Sequence, residues 1–100
     1  MPTPDDHNFK LYSMNTTRLS DSLCKVLNVQ MTKEAHAAQI YLSYACWLND
    51  KGYDGMANFL FRHANEERNH MMKFLEYILE RGAVVRVEGI PAPPPDPSNI

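Results

Sequence analysis

The chain has 100 residues, of which 44% are hydrophobic, and a formal net charge of -2 at pH 7. This length allows one small domain and excludes a second. Apolar residues nowhere run unbroken for the ~18 positions that a membrane span needs, and the first ten residues lack the order of a secretory signal. The slightly acidic balance, without a cluster of lysines and arginines, argues against nucleic acid as a partner. We therefore expect a cytoplasmic protein with no membrane and no nucleic-acid partner.

The N-terminal segment, residues 1–16, is polar, contains two prolines and shows no apolar period. We interpret it as a flexible or loosely docked arm. Asp5, Asp6 and His7 are suitable metal ligands by type, but nothing in the segment fixes their geometry, and a solvated tail is the favoured interpretation.

The next segment predicts a long amphipathic helix over about residues 17–50, because apolar or small residues recur in steps of three and four. Thr17 and Ser20 are both suitable N-caps. The stretch NDKGYDG then combines glycine with Asn and Asp, which is typical of a helix end followed by a turn. The predicted apolar face contains Leu23, Leu27, Met31, Ala38, Tyr41, Ala45 and Leu48. Cys24 and Cys46 also fall within this helix, too far apart for a CxxC pair, and are expected to be buried free thiols.

A second helix is predicted over about residues 55–81, with Asp54 as its N-cap and Gly82 as its C-terminal cap. Its apolar face contains Met56, Leu60, Ala64, Met71, Phe74 and Ile78. A short loop between two long helices makes them antiparallel neighbours. The predicted fold class is therefore all-α, an antiparallel two-helix hairpin over residues 17–82.

Residues 83–100 are predicted to form an extended, proline-rich tail. The stretch AVVRVEGI is compatible with extended backbone, and PAPPPDPSNI contains too many prolines for a helix. Such a tail is a candidate docking segment for a peptide-recognition partner.

Three residues interrupt the apolar faces with groups that bind metals. Glu34 lies seven residues after Leu27 and seven before Tyr41, in the middle of a core-facing row. A buried carboxylate without a partner costs several kcal/mol, so Glu34 must be protonated, ion-paired or bound to a cation. On the second helix, Glu67 and His70 are three residues apart, a spacing that places both side chains within reach of one ion. Carboxylate oxygen and imidazole nitrogen suit iron, with manganese or zinc as surrogates.

These motifs resemble the first half of a bacterial non-haem ferritin. LNVQMTKEAHAAQIYLSYACW is similar to the first helix of that family, and FLFRHANEERNHMMKFLEYILERG to the second. The resemblance implies that Glu34 is an iron ligand, that Glu67 is the bridging carboxylate and that His70 is the histidine ligand of a ferroxidase centre. It also implies that Tyr41 lies beside this centre, where it donates an electron or a hydrogen bond, although a core aromatic is an equal alternative. Iron binding, storage and Fe(II) oxidation are the activities that follow.

A di-iron carboxylate bundle takes a Glu from each of two helices and a Glu-x-x-His from each of the other two. One copy of this chain supplies half of that set. Two copies related by a two-fold axis supply all of it and also complete a four-helix bundle. We therefore expect a homodimer or a higher even-numbered homo-oligomer with a di-iron site shared between two chains.

Several other residues near these motifs have more than one interpretation. His63, one turn before Glu67, is either a partner that orients a carboxylate or a histidine at the edge of the core. Glu66 is either a solvated residue or a ligand for iron uptake and release. His36 has no assignment. The methionines at core-like spacing, Met31, Met56, Met71 and Met72, are interpreted as packing residues.

The sequence leaves three alternatives open. In the first, the chain is a helical interaction module whose carboxylates are paired with Lys33, Arg62 or Arg68. In the second, the chain is a fragment of an ordinary ferritin without a complete site. In the third, it is a DNA-protecting relative of the ferritins, against which the absence of a basic arm argues.

Overall fold

The computed structural model describes residues 18–97. Two helices, α1 (Asp21–Asp50) and α2 (Asp54–Glu80), pack against each other along their lengths. A turn of three residues, 51–53, reverses the chain between them, so the helices are antiparallel. No strand occurs in the described range. The predicted all-α two-helix fold is therefore confirmed.

Helix α1 begins at Asp21 because Ser20 caps it. The Ser20 hydroxyl oxygen accepts a hydrogen bond from the Leu23 backbone N–H at 3.1 Å, which satisfies one of the free donors of the first turn. The start lies four residues after the expected position near residue 17, and Thr17, the other candidate cap, is outside the described residues.

Both helices end in a glycine with left-handed backbone. After α1, Gly52 has φ 86°, and the Tyr53 N–H donates to the Leu48 carbonyl at 2.9 Å. After α2, Gly82 has φ 72°, and the Ala83 N–H donates to the Ile78 carbonyl at 3.1 Å. This six-to-one hydrogen bond is the Schellman termination, which favours glycine because a Cβ is disfavoured at positive φ.

The expectation that Asp54 caps α2 was wrong. The N-cap is Tyr53, which makes no side-chain capping bond, and Asp54 is the first residue of the helix. The Schellman turn after Gly52 leads directly into α2, so the aspartate comes one position too late to cap it. Its carboxylate still lies in the first turn, where negative charge complements the helix dipole.

The helices meet along a narrow stripe of small and aliphatic residues. The buried residues of this stripe are Met31, Ala38, Ala45, Leu48, Ala57, Ala64 and Ile78. Four of the seven are alanines, which lets the two backbones approach closely. Two residues of the predicted apolar faces, Leu23 and Met56, are exposed by 44% and 56%. They are exposed because one neighbouring helix covers a narrower arc than the sequence makes apolar.

Residues 83–97 contain neither helix nor strand and run back along α1. At the start of this tail, Asn28 of α1 donates through Nδ2 to the Val84 carbonyl at 3.0 Å and accepts the Arg86 N–H at 2.6 Å. Further on, Pro93 and Asp96 line a cleft with residues near the end of α1. Asn28 is only 8% exposed. Its side-chain amide therefore satisfies two backbone groups of the tail at a position that is largely shielded from water.

Both cysteines of α1 are free thiols. Cys24 is half-buried beside Asn28, whereas Cys46 is exposed, so the expectation of burial was wrong for Cys46. Within residues 18–97, neither helix is sufficiently long and apolar to cross a membrane.

Candidate metal centre

Glu34 occupies the middle of α1, with its side chain 16% exposed. The side-chain amide of Gln30, one turn earlier, donates from Nε2 to Glu34 Oε1 at 3.2 Å. This bond orients the carboxylate and leaves Oε2 directed toward α2. Sequence reasoning missed Gln30, although its spacing of four residues from a buried carboxylate is a recognisable signal.

Glu67 and His70 lie on α2 opposite Glu34. The His70 imidazole Nδ1 is 3.8 Å from Glu67 Oε2, one turn away on the same helix, and 3.9 Å from Glu34 Oε2 across the helix pair. One donor atom from each of the three residues lies within 4.8 Å of the others. Donors bound to one first-row metal ion at about 2.0 to 2.2 Å are separated by at most ~4.4 Å. Small side-chain adjustments therefore bring all three onto a common ion.

The charge of this cluster fits a cation. Both carboxylates are about four-fifths buried, at 16% and 20% exposure, and no lysine or arginine among residues 18–97 forms an ion pair with either. In particular Lys33, Arg62 and Arg68 do not neutralise them, which removes the support for the first alternative. Two carboxylates and an imidazole are a donor set that suits iron, manganese or zinc.

Tyr41 of α1 and His63 of α2 also face each other across the helix pair, farther along the hairpin. The Tyr41 ring lies 5.6 Å from the His63 ring, centre to centre, and Phe59 packs edge-on against His63 at 4.4 Å. His63 Nδ1 is 3.9 Å from Glu66 Oε2, so its polar contact is with Glu66. No polar contact between His63 and Glu67 exists among the described residues. The aromatic contacts place His63 at the edge of the core, and Glu66 is 63% exposed.

The remaining candidates are not brought to the cluster. His36 lies on a different side of α1 and joins no group of metal-ligating residues in residues 18–97. Asp5, Asp6 and His7 are outside the described residues.

The metal cluster lies on an apolar surface that neither helix covers. At 100° per residue, Leu23 and Tyr41 lie within about 20° of Glu34 on α1, and Met56, Phe59 and Tyr77 lie within about 40° of His70 on α2. We call these five residues the site face. Four of them are large and exposed: Leu23 by 44%, Met56 by 56%, Phe59 by 52% and Tyr77 by 38%. His70, in their midst, is 50% exposed. The three donors thus lie on one side of a candidate metal site whose other side is open to solvent.

A family profile described as "Ferritin-like domain" matches residues 24–100. The chain is 43% identical over 75 residues to a bacterial non-heme ferritin of Staphylococcus haemolyticus, and covers 45% of that protein. It is 39% identical over 75 residues to a probable bacterial non-heme ferritin-like protein of Haemophilus influenzae, of which it covers 46%. In both cases the match takes in 75% of this chain.

Solved structures give the same correspondence. The ferritin of Chlorobium tepidum superposes with a TM-score of 0.76 at 36% identity, over 81% of this chain and 50% of that one. The apo-ferritin from Pseudo-nitzschia multiseries superposes with a TM-score of 0.71 at 32% identity, over 74% of this chain and 46% of that one. The chain therefore spans about half the length of the relatives it matches.

Proposed function

The chain belongs to the ferritin family, and on this premise we propose that it binds Fe(II) at Glu34, Glu67 and His70 and oxidises it to Fe(III) for iron storage or detoxification in the cytoplasm. The observation that carries the proposal is the convergence of two carboxylates and an imidazole from two helices. Neither carboxylate has an arginine or lysine partner within residues 18–97. A bound metal ion would supply the counter-charge for both carboxylates and use His70 as a third donor.

Each ligand has a distinct role in this proposal. Glu67 bridges two metal ions, and Glu34 and His70 each bind one of them. The Gln30 amide holds one oxygen of Glu34, so that the other faces the metal. Two Fe(II) ions then lose one electron each, and dioxygen takes up both electrons with two protons and leaves as hydrogen peroxide. Tyr41, whose ring lies 5.6 Å from that of His63 on the same side, supplies a hydrogen bond, since the two Fe(II) ions provide both electrons.

The second half of the site comes from a second copy of the chain. A di-iron bundle needs two lone carboxylates and two Glu-x-x-His pairs, and one chain contributes one of each. The exposed site face surrounds the ligands, so one two-fold contact buries these apolar side chains and assembles six ligands. The product is a dimeric four-helix bundle, which can associate further into an even-numbered oligomer.

A second candidate is that the missing helix pair follows on the same polypeptide, as part of a longer ferritin subunit. The coverage of about half of each relative favours it. The course of the tail does so too, since it crosses from Asn28 to the vicinity of Trp47 and returns the chain to the turn end of the hairpin. In this case the same site face is covered from within one subunit.

Native mass spectrometry after anaerobic addition of Fe(II) tests the proposal, because one spectrum gives both the subunit number and the metal count. An even-numbered assembly that holds about two irons per pair of chains is the expected result. A Glu67→Gln variant should lose the iron, whereas Glu76→Gln, which changes an exposed glutamate of α2 outside the cluster, should keep it. A folded monomer loaded with iron contradicts the shared site, and metal-free species of every size contradict iron binding.

A further inference from the structure

The proline-rich end of the tail, residues 90–97, takes no part in the metal site. Every residue of this run is either a proline or the residue before one. Proline fixes its own φ at about −65° and disfavours the α region for the residue that precedes it. The run therefore favours the polyproline II conformation, which has three residues per turn and rises about 3.1 Å per residue.

The burial of the run follows this period of three. Ile90 and Pro93 are half-buried, whereas the other six residues are exposed. Asp96, three residues after Pro93, lines with it the same cleft near the end of α1. Positions 90, 93 and 96 thus form the edge of the polyproline helix that is turned toward the rest of the chain.

The other two edges of the polyproline helix face solvent. We call their residues the proline face, and all five are exposed: Pro91, Pro94 and Pro97 on one edge, Ala92 and Pro95 on the other. The proline face is about 19 Å long at 3.1 Å per residue. It combines apolar rings with backbone carbonyl oxygens that accept hydrogen bonds.

The tail docks on a side of α1 that is remote from the metal ligands. Gln39 and Ser43 line the cleft beside the tail, and at 100° per residue they lie about 140° and 180° around the helix from Glu34. A partner on the proline face and a second helix pair on the site face therefore do not compete for the same surface.

We propose that the proline face is a recognition segment for a protein domain whose groove is lined by aromatic side chains. Such grooves bind polyproline II segments because the conformation is already formed, so little entropy is lost on binding. The edge that contains Pro93 stays on the hairpin, which presents the opposite side to the partner.

The charge of the segment narrows the kind of groove. Residues 87–97 contain two carboxylates, Glu88 and Asp96, and no lysine or arginine. The segment therefore offers no cation to an acidic pocket, and a groove with a neutral or basic rim suits it.

Titration of isotope-labelled EVH1 and WW domains, which have aromatic-lined grooves, with the metal-free full chain tests the proposal by NMR. We expect saturable shifts in the aromatic groove of at least one domain. Pro94→Ala, on an exposed edge, should weaken this binding at least about tenfold. Pro93→Ala is the matched control, since it changes the neighbouring proline on the docked edge and should stay within about twofold of the parent.

Three results would overturn the proposal. The first is the absence of saturable shifts in both domains. The second is equal weakening by Pro93→Ala and Pro94→Ala, because binding would then not distinguish the exposed edges from the docked one. The third is a lower mass of Pro94→Ala in sedimentation equilibrium, with an unchanged helical circular dichroism signal, because the proline face would then bind a second copy of the chain. The metal-free protein keeps all three results independent of iron binding.

Discussion

The carboxylate of Glu34 on α1 faces the imidazole of His70 on α2, with Oε2 3.9 Å from Nδ1. The positions of these two residues add to 104, and so do those of Tyr41 and His63, the ring pair farther along the hairpin. One antiparallel register therefore aligns the candidate metal ligands and the aromatic pair.

Removal of the histidine ligand should weaken Fe(II) binding. His70→Ala deletes one of three converging donors, and changes to residues that only orient a ligand already cost about 10- to 100-fold in metal affinity. We expect a loss of at least about 100-fold, measured by anaerobic titration calorimetry. His36→Ala is the matched control, because His36 lies outside the cluster, and its affinity should equal that of the parent. Equal affinities in both variants would exclude His70 as a ligand.

Loss of the bridging carboxylate should abolish rapid Fe(II) oxidation. Glu67→Ala removes a donor that is 20% exposed and has no ion-pair partner other than His70 within residues 18–97. Stopped-flow absorbance during aerobic mixing with Fe(II) measures the rate, and Glu76→Ala should retain it. An unchanged rate in Glu67→Ala rejects the assignment of Glu67.

A charge on the site face should dissociate the assembly. Phe59 is 52% exposed on the site face, and Phe59→Asp places a carboxylate where the proposed bundle buries a ring. Sedimentation equilibrium should show a smaller species, with the helical circular dichroism signal retained. Val87→Asp changes an exposed tail residue and should leave the assembly intact. Full assembly of Phe59→Asp would show that another surface holds the chains together.

Deletion of the Asn28 amide should destabilise the hairpin by releasing the tail. The side chain bonds to the Val84 carbonyl, the Arg86 N–H and the Cys24 carbonyl, at 3.0, 2.6 and 3.0 Å. Asn28→Ala leaves these groups without that partner, and we expect a loss of about 1–3 kcal/mol in the free energy of unfolding. Urea denaturation of the metal-free protein measures it. Asn65→Ala, at an exposed asparagine of α2, should change stability by less than about 0.5 kcal/mol.

The amino-acid sequence by itself determined the two helices, the turn between them and the candidate ligands. Glu34, Glu67 and His70 were recognisable because a helix repeats every 3.6 residues, so a charged group on an apolar face is visible from spacing alone. The glycine terminations were equally readable, since glycine is the residue that adopts positive φ without strain.

Only the tertiary structure decided which donors meet and which surfaces stay open. Helical period says nothing of the register between two helices, and therefore could not pair Glu34 with His70 or place His63 against Tyr41. Leu23 and Met56 lie on the predicted apolar faces but stay exposed, because burial depends on the neighbours that are present and one antiparallel partner covers only a narrow stripe. The sequence pattern also did not reveal that the tail returns to Asn28. That return depends on two hydrogen bonds, which join Asn28 to residues 56 and 58 positions later in the chain.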